Sequence, residues 1–156
     1  MNELTDKFEE VRLVYKNKTR AADRPQVNCA QKAYEVLLKS WNPDEISLLE
    51  ECKVLLLDTN LRLMSIATIS KGGLSGTVVD PRIVFSIALK RRASAIILAH
   101  NHPSGNLQAS GADLLLTREF VKAGKTLKIP LEDHLIITPD GYTALISENY
   151  LGYDQR

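Results

Sequence analysis

The chain has 156 residues, is 44% hydrophobic and 25% charged, and carries a formal net charge of +1 at neutral pH. That length suits one domain with a sizeable core. The near-balanced charge offers no bulk attraction for nucleic acid or an anionic membrane, and no apolar run approaches the length that crosses a bilayer. The stretch Met1 to Asp6 is polar and acidic, unlike a signal peptide. Cys29 and Cys52 lack C-x-x-C spacing and read as reduced thiols, so a cytoplasmic protein is expected.

In chain order, Glu9–Tyr15 (EEVRLVY) reads as a first strand and Lys16–Pro25 as a polar, basic loop. Residues from Gln26 to Leu38 have apolar side chains at helical spacing (Ala30, Ala33, Val36, Leu37, then Trp41). Asn28 is the expected N-cap, and Asn42-Pro43-Asp44 the break. Lys53–Asp58 is a short apolar run, hence a buried strand. Thr59-Asn60 then turns the chain into a second strand over Leu61–Ser70, and Gly72, Gly73 and Gly76 mark a loop. Asp80 and Pro81 predict the cap and first turn of a helix through Phe85, Ala88 and Leu89 to about Ala93. Ala95–Ala99 is a further buried strand. A helix opens at Ser110 or Ala112 and runs to Lys125. Leu135–Ile137 is a strand, Pro139-Asp140-Gly141 a turn and Tyr142–Ile146 a last strand. This order predicts a mixed α/β (α+β) fold: a central mixed sheet flanked by helices.

Chemistry concentrates after the strand Ala95–Ala99, in His100-Asn101-His102-Pro103-Ser104-Gly105, then Ser110 and Asp113. Residues two apart on a strand point to the same side, so His100 and His102 can aim at one point. Asp113 falls in the first turn of the next helix, where the macrodipole favours a carboxylate. Two imidazoles and a carboxylate make a three-ligand zinc site with the fourth position open, the arrangement of catalytic rather than structural zinc. A hydrolytic site also needs a general base, and Glu50 and Glu51 both stand at the entrance to the strand that begins at Lys53. Spacing alone does not choose between them. Ser110 can cap the helix or donate to a developing oxyanion. His134 reads as a hydrogen-bonded histidine at a strand entrance, with an approach to the metal site as the alternative.

These residues resemble the JAB/MPN/JAMM metalloprotease superfamily, whose signature is an upstream Glu, H-x-H, seven residues, Ser, two residues, Asp. Within it the chain is similar to RadC-type proteins. The segments that carry the resemblance are Glu50–Asp58, Asp80-Pro81-Arg82, Ile96–Gly105 and Asp133–Ile137, and it covers roughly residues 30–152. Two departures stand out: Ala109-Ser110 replaces the usual Pro-Ser pair, and Pro81-Arg82-Ile83 replaces Pro-Arg-Glu. The Gly-rich DNA-contacting hairpin of longer RadC proteins has no counterpart here. The resemblance implies a JAB/MPN (cytidine-deaminase-like) architecture over residues 41–156, with residues 1–40 as an N-terminal strand-and-helix appendage. It implies one Zn2+ per chain held by His100, His102 and Asp113, and it selects Glu50 over Glu51 as the base. Ser110 would steady the oxyanion while a peptide or protein substrate is cut at a peptide or isopeptide bond.

Two other functions compete. A DNA-repair-associated accessory protein would use the basic residues Lys16, Lys18, Arg20 and Arg24 with Lys90-Arg91-Arg92 as phosphate contacts. A non-catalytic JAB interaction module would use its edge strands to dock a peptide or pair two copies into a homodimer.

Overall fold

The computed structural model describes residues 9, 11–73 and 76–152. The polar segment at residues 1–8, and Glu10 within the expected first strand, lie outside the described residues. Five strands form one sheet: β1 (Glu51–Leu57), β2 (Leu63–Lys71), β3 (Ala95–Asn101), β4 (Leu131–Thr138) and β5 (Gly141–Ala144). Among the described residues three α-helices accompany them, α1 (Ala30–Ser40), α2 (Pro81–Arg91) and α3 (Gly111–Leu127), with one short 3-10 turn at Ala21–Asp23. The strand order is β2-β1-β3-β4-β5. Only β3 and β4 run parallel, joined by α3 as a crossover, and the other neighbours are antiparallel. The expected mixed sheet flanked by helices is therefore the observed architecture.

β1 and β3 lie at the centre and are buried along their whole length. This explains their continuous apolar sequence: both faces are covered. Alternation divides the core in two. Leu55, Leu57, Ile97, Ala99, Leu135 and Ile137 meet Ala33 and Leu37 of α1 and Trp41 just beyond it. Val54, Leu56, Ile96 and Leu98 meet Val84, Phe85 and Ala88 of α2 and Phe120 of α3 on the opposite face. Helix α1 thus contributes to the same core as the strands that follow it.

Local chemistry sets several boundaries. Asp80 accepts the Arg82 amide at 2.8 Å and Pro81 opens α2, as the pair predicts. Ser110 caps α3. Helix α1 starts later than expected: Cys29 occupies its cap position without a side-chain bond. The preceding residues are drawn into extended pairing instead, Gln26 bridging Arg62 and the Val27 amide donating to Leu61 O at 2.8 Å. Tertiary hydrogen bonds override the Asn28 signal there. No strand forms over the described residues of the segment Glu9–Tyr15. Residues 11–18 have no regular structure, and Val11, Leu13 and Val14 are exposed. Alternation makes a strand only where an edge is available to pair with it, and Tyr15 instead lies against the guanidinium groups of Arg91 and Arg92, 5.2 Å from each.

Candidate metal centre

The parallel pair β3–β4 and the N-terminus of α3 converge at one end of the sheet, where open α/β sheets place their ligands. His100 is the penultimate residue of β3 and shares a face with Ile96 and Leu98, beneath α3. His102 follows one residue after the strand. Its amide still donates to Ile137 O at 3.1 Å, so the β3–β4 ladder holds it in line with His100. The reversal after it is closed by the Gly105 amide on His102 O at 3.0 Å, with Gly105 at φ +81°. That left-handed conformation favours glycine. Thr143 of β5 donates to Leu107 O at 2.8 Å, which pins the rest of the loop to the sheet.

Asp113 arrives through a reciprocal cap. Its amide donates to Ser110 Oγ at 3.1 Å, and the Ser110 amide donates to Asp113 Oδ2 at 2.8 Å. The remaining oxygen, Oδ1, lies 3.1 Å from His100 Nε2, and His102 Nε2 lies 3.7 Å from Oδ2. The two Nε2 atoms are 3.0 Å apart. One donor atom from each of His100, His102 and Asp113 thus falls within 4.8 Å of the others, the only such group of three or more among the described residues. Bonds of ~2.0–2.1 Å in a tetrahedral zinc site separate ligand atoms by about 3.3 Å, so the observed spacings bracket that value.

The hydrogen-bond network fixes which ring nitrogens carry protons. Thr117 spends its single hydroxyl hydrogen on Asp113 O, at 2.6 Å. Its oxygen, 2.7 Å from His134 Nδ1, must therefore accept a proton from that ring. His134 Nε2 is then bare and accepts from His100 Nδ1 at 2.9 Å, which leaves His100 Nε2 bare. His102 Nδ1 donates to Asn106 O at 2.6 Å, which leaves its Nε2 bare too. Two lone pairs and a carboxylate oxygen therefore face one point, an arrangement that calls for a cation or a proton between them.

Without a cation a proton takes that place. Its hydrogen bond to Asp113 raises the His102 pKa, aided by Asn106 O and the Asp113 and Glu50 charges, against a burial effect that lowers it. Burial pushes the Asp113 carboxyl up, but the hydrogen bonds to His100 and His102 outweigh it and hold the group far below the usual carboxylate range. Burial drives the His134 pKa well below 6.5, and the neighbouring imidazoles add to this.

The three donors sit at the floor of a cleft of about 650 Å³ that is also lined by Glu50, Cys52, Val79, Ser110 and Leu116. Glu50 shares a face with Cys52, the register partner of His100. Glu51 turns to the opposite face, where it is buried, pairs with Lys53 Nζ at 3.2 Å and accepts from Thr68 at 3.3 Å. Geometry therefore brings Glu50, and not Glu51, to the cleft of the His100, His102 and Asp113 cluster. Burial, followed by the charges of Glu50 and Glu51, pushes the Cys52 thiol up. That makes it a poor thiolate donor.

Two residues went unrecognised in the sequence. Thr117 orients His134, and its signal was a polar side chain four residues after Asp113 on the inward face of α3. Asn101, between the two histidines, is fully buried; its signal was an amide at the end of an apolar strand, on the face opposite His100. His134 is a direct partner of His100, not merely a strand-entrance histidine, because β4 lies beside β3 with Leu98 opposite His134. The basic residues are dispersed in role: Arg24 pairs with Asp58 at 3.0 Å, and Arg91 bonds Ser65, Tyr15 and Met64 O.

Removing the imidazole that orients His100 should weaken metal binding. His134→Ala is expected to lower zinc affinity ~10- to 100-fold, measured by competition with a chromophoric chelator. His134 also sets a pH limit. Its folded pKa lies below 6.5, so the unfolded chain takes up the proton first and the group's stabilisation is lost as pH falls below about 6.5. Urea unfolding of the metal-free chain between pH 7.5 and 5 should show this loss, and a His134→Gln variant should show a flatter profile.

Residues 27–150 match the family model described as the RadC-like JAB domain. The UPF0758 protein of Flavobacterium johnsoniae is 44% identical over 99 residues, covering 64% of this chain and 43% of the relative. That of Alkaliphilus metalliredigens is 44% identical over 114 residues, covering 67% and 49%. That of Salinibacter ruber is 40% identical over 126 residues, covering 79% and 52%. The chain spans about half the length of these curated relatives. With the matched stretch running from just before α1 to beyond β5, and the histidine cluster inside it, the chain belongs to the RadC-like JAB domain family.

Proposed function

We propose that the domain is a zinc-dependent hydrolase acting on a peptide or isopeptide bond. The observation that carries this reading is the convergence of the Nε2 atoms of His100 and His102 and an Asp113 oxygen in a cleft that Glu50 also lines. Two imidazoles and one carboxylate suit zinc in hardness and number, with one position left open. When bound, zinc supplies a Lewis acid that polarises a carbonyl and acidifies an attacking water. Glu50 takes the proton that the water sheds and returns it to the departing nitrogen. Ser110 combines the two roles considered for it. Its oxygen accepts the Asp113 amide as a helix cap, while its hydroxyl hydrogen can donate to the developing oxyanion. Val79 and Leu116 give the cleft apolar walls, and Ser104, Asn106 and Gln108 give it polar ones, a mixture that suits an extended peptide.

Elemental analysis of the zinc-equilibrated protein should find about one zinc per chain, and His100→Ala should lose it. Glu50→Gln should keep the metal while its turnover of a peptide library falls ~10²- to 10⁴-fold. A chain that stays empty after zinc addition, or a Glu50→Gln variant as active as the native chain, would overturn the proposal.

A second reading, a DNA-binding accessory role, is favoured by one observation. Lys16, Lys18 and Lys90 line a second cleft of about 540 Å³ together with Tyr15 and Arg91, so two basic stretches distant in sequence meet. Phosphate contacts by these lysines would make duplex binding fall steeply with salt. Fluorescence anisotropy at 50 and 200 mM salt tests this, and the absence of binding at the lower salt sinks it.

A further inference from the structure

We infer that Asn101 is the positioning residue that sets Glu50 against the metal ligands, an inference that rests on Glu50 being the proton carrier. Alternation on β3 sends His100 and His102 towards α3 and Asn101 towards the opposite face. There its side chain is fully buried and makes three hydrogen bonds, all to the backbone of the segment that delivers Glu50. Oδ1 accepts the Glu51 amide at 2.7 Å. Nδ2 donates to Leu49 O at 2.8 Å and to Ile46 O at 2.7 Å. Both Nδ2 hydrogens are used on carbonyls before Glu50 and Oδ1 on the amide after it, so the one side chain grips the chain on either side of Glu50. Glu50 itself is tied to the end of β2: its amide donates to Gly73 O at 3.2 Å, and its carbonyl accepts the Gly72 amide at 3.0 Å.

The backbone at Glu50 is therefore fixed from two directions, and strand alternation aims its side chain into the cleft. The residue that holds it lies between the two imidazoles, at the last position of β3. One amide side chain thus links the separation of base and ligands to β3 itself. The chemistry is specific to an amide. Aspartate would set an acceptor against two carbonyl oxygens, and leucine would leave an amide and two carbonyls unpaired in the core.

Cobalt(II)-loaded full-length chain provides the test, since its visible absorption follows the ionisation of the site with pH. Glu50→Gln should displace the spectral transition by on the order of one pH unit. Asn101→Ala should retain about one cobalt per chain and displace the transition in the same direction by at least half as much. The double variant should move it no further than Glu50→Gln alone. An Asn101→Ala protein that binds cobalt and titrates like the native chain, while Glu50→Gln does not, would overturn the positioning role and leave Glu50 intact as the base. A Glu50→Gln profile identical to the native one would instead remove the reading of Glu50, and this inference with it. Amide exchange of the native chain gives a second measurement, independent of whether Asn101→Ala folds. The Glu51 amide should exchange as slowly as the central amides of β3, and exchange as fast as the exposed turn at residues 42–45 would overturn the inference.

Discussion

The alternation of side chains along β3 is the constraint on which the rest of this molecule depends. Ile96, Leu98 and His100 face α2 and α3, while Ile97, Ala99 and Asn101 face the α1 side. One strand therefore carries an apolar core on both faces and, at its last turns, polar groups that serve different ends. The face under α3 presents imidazoles to the cleft. The opposite face holds the segment before β1 through Asn101. A one-residue slip in register would exchange these sides and destroy both arrangements at once. The central position of β3, paired with β1 on one side and β4 on the other, makes such a slip costly.

Polar groups at the buried end of a sheet are tolerated only when they are paired. Here the pairing runs as a chain from Asp113 O through Thr117, His134 and His100. Each step uses the one proton or lone pair that the previous step leaves. The outcome is an unprotonated Nε2 aimed at the cluster, reached without any charged group in the buried part of the chain. The reciprocal cap of Ser110 and Asp113 does the corresponding work on the helix side. It satisfies orphan amides of α3 and commits one Asp113 oxygen, leaving the other near His100. Helix start and ligand placement are thus one feature of the same residues.

Much of this was legible in the sequence, because the signals were local. The H-x-H parity, the capping pattern Ser110-x-x-Asp113, the Asp80-Pro81 start and the apolar runs of β1 and β3 each act within a few residues. What was not legible depended on partners far along the chain. The start of α1 moved because Gln26 and Val27 pair with Leu61 and Arg62. The expected strand at Glu9–Tyr15 found no edge to join. His134 could be tied to His100 only by the parallel register of β3 and β4. Likewise Glu50 and Glu51 were equivalent as neighbours in sequence, and became distinct once β1 assigned them to opposite faces, with Lys53 neutralising Glu51.

Whether His100, His102 and Asp113 together hold a metal is decided by X-ray absorption at the zinc edge of the zinc-loaded chain. A four-coordinate ion with two imidazoles and only nitrogen or oxygen donors, at about 2.0–2.2 Å, is expected. A sulfur donor at about 2.3 Å, which would have to come from a cysteine, or a hydrated ion without imidazole scattering, would contradict it.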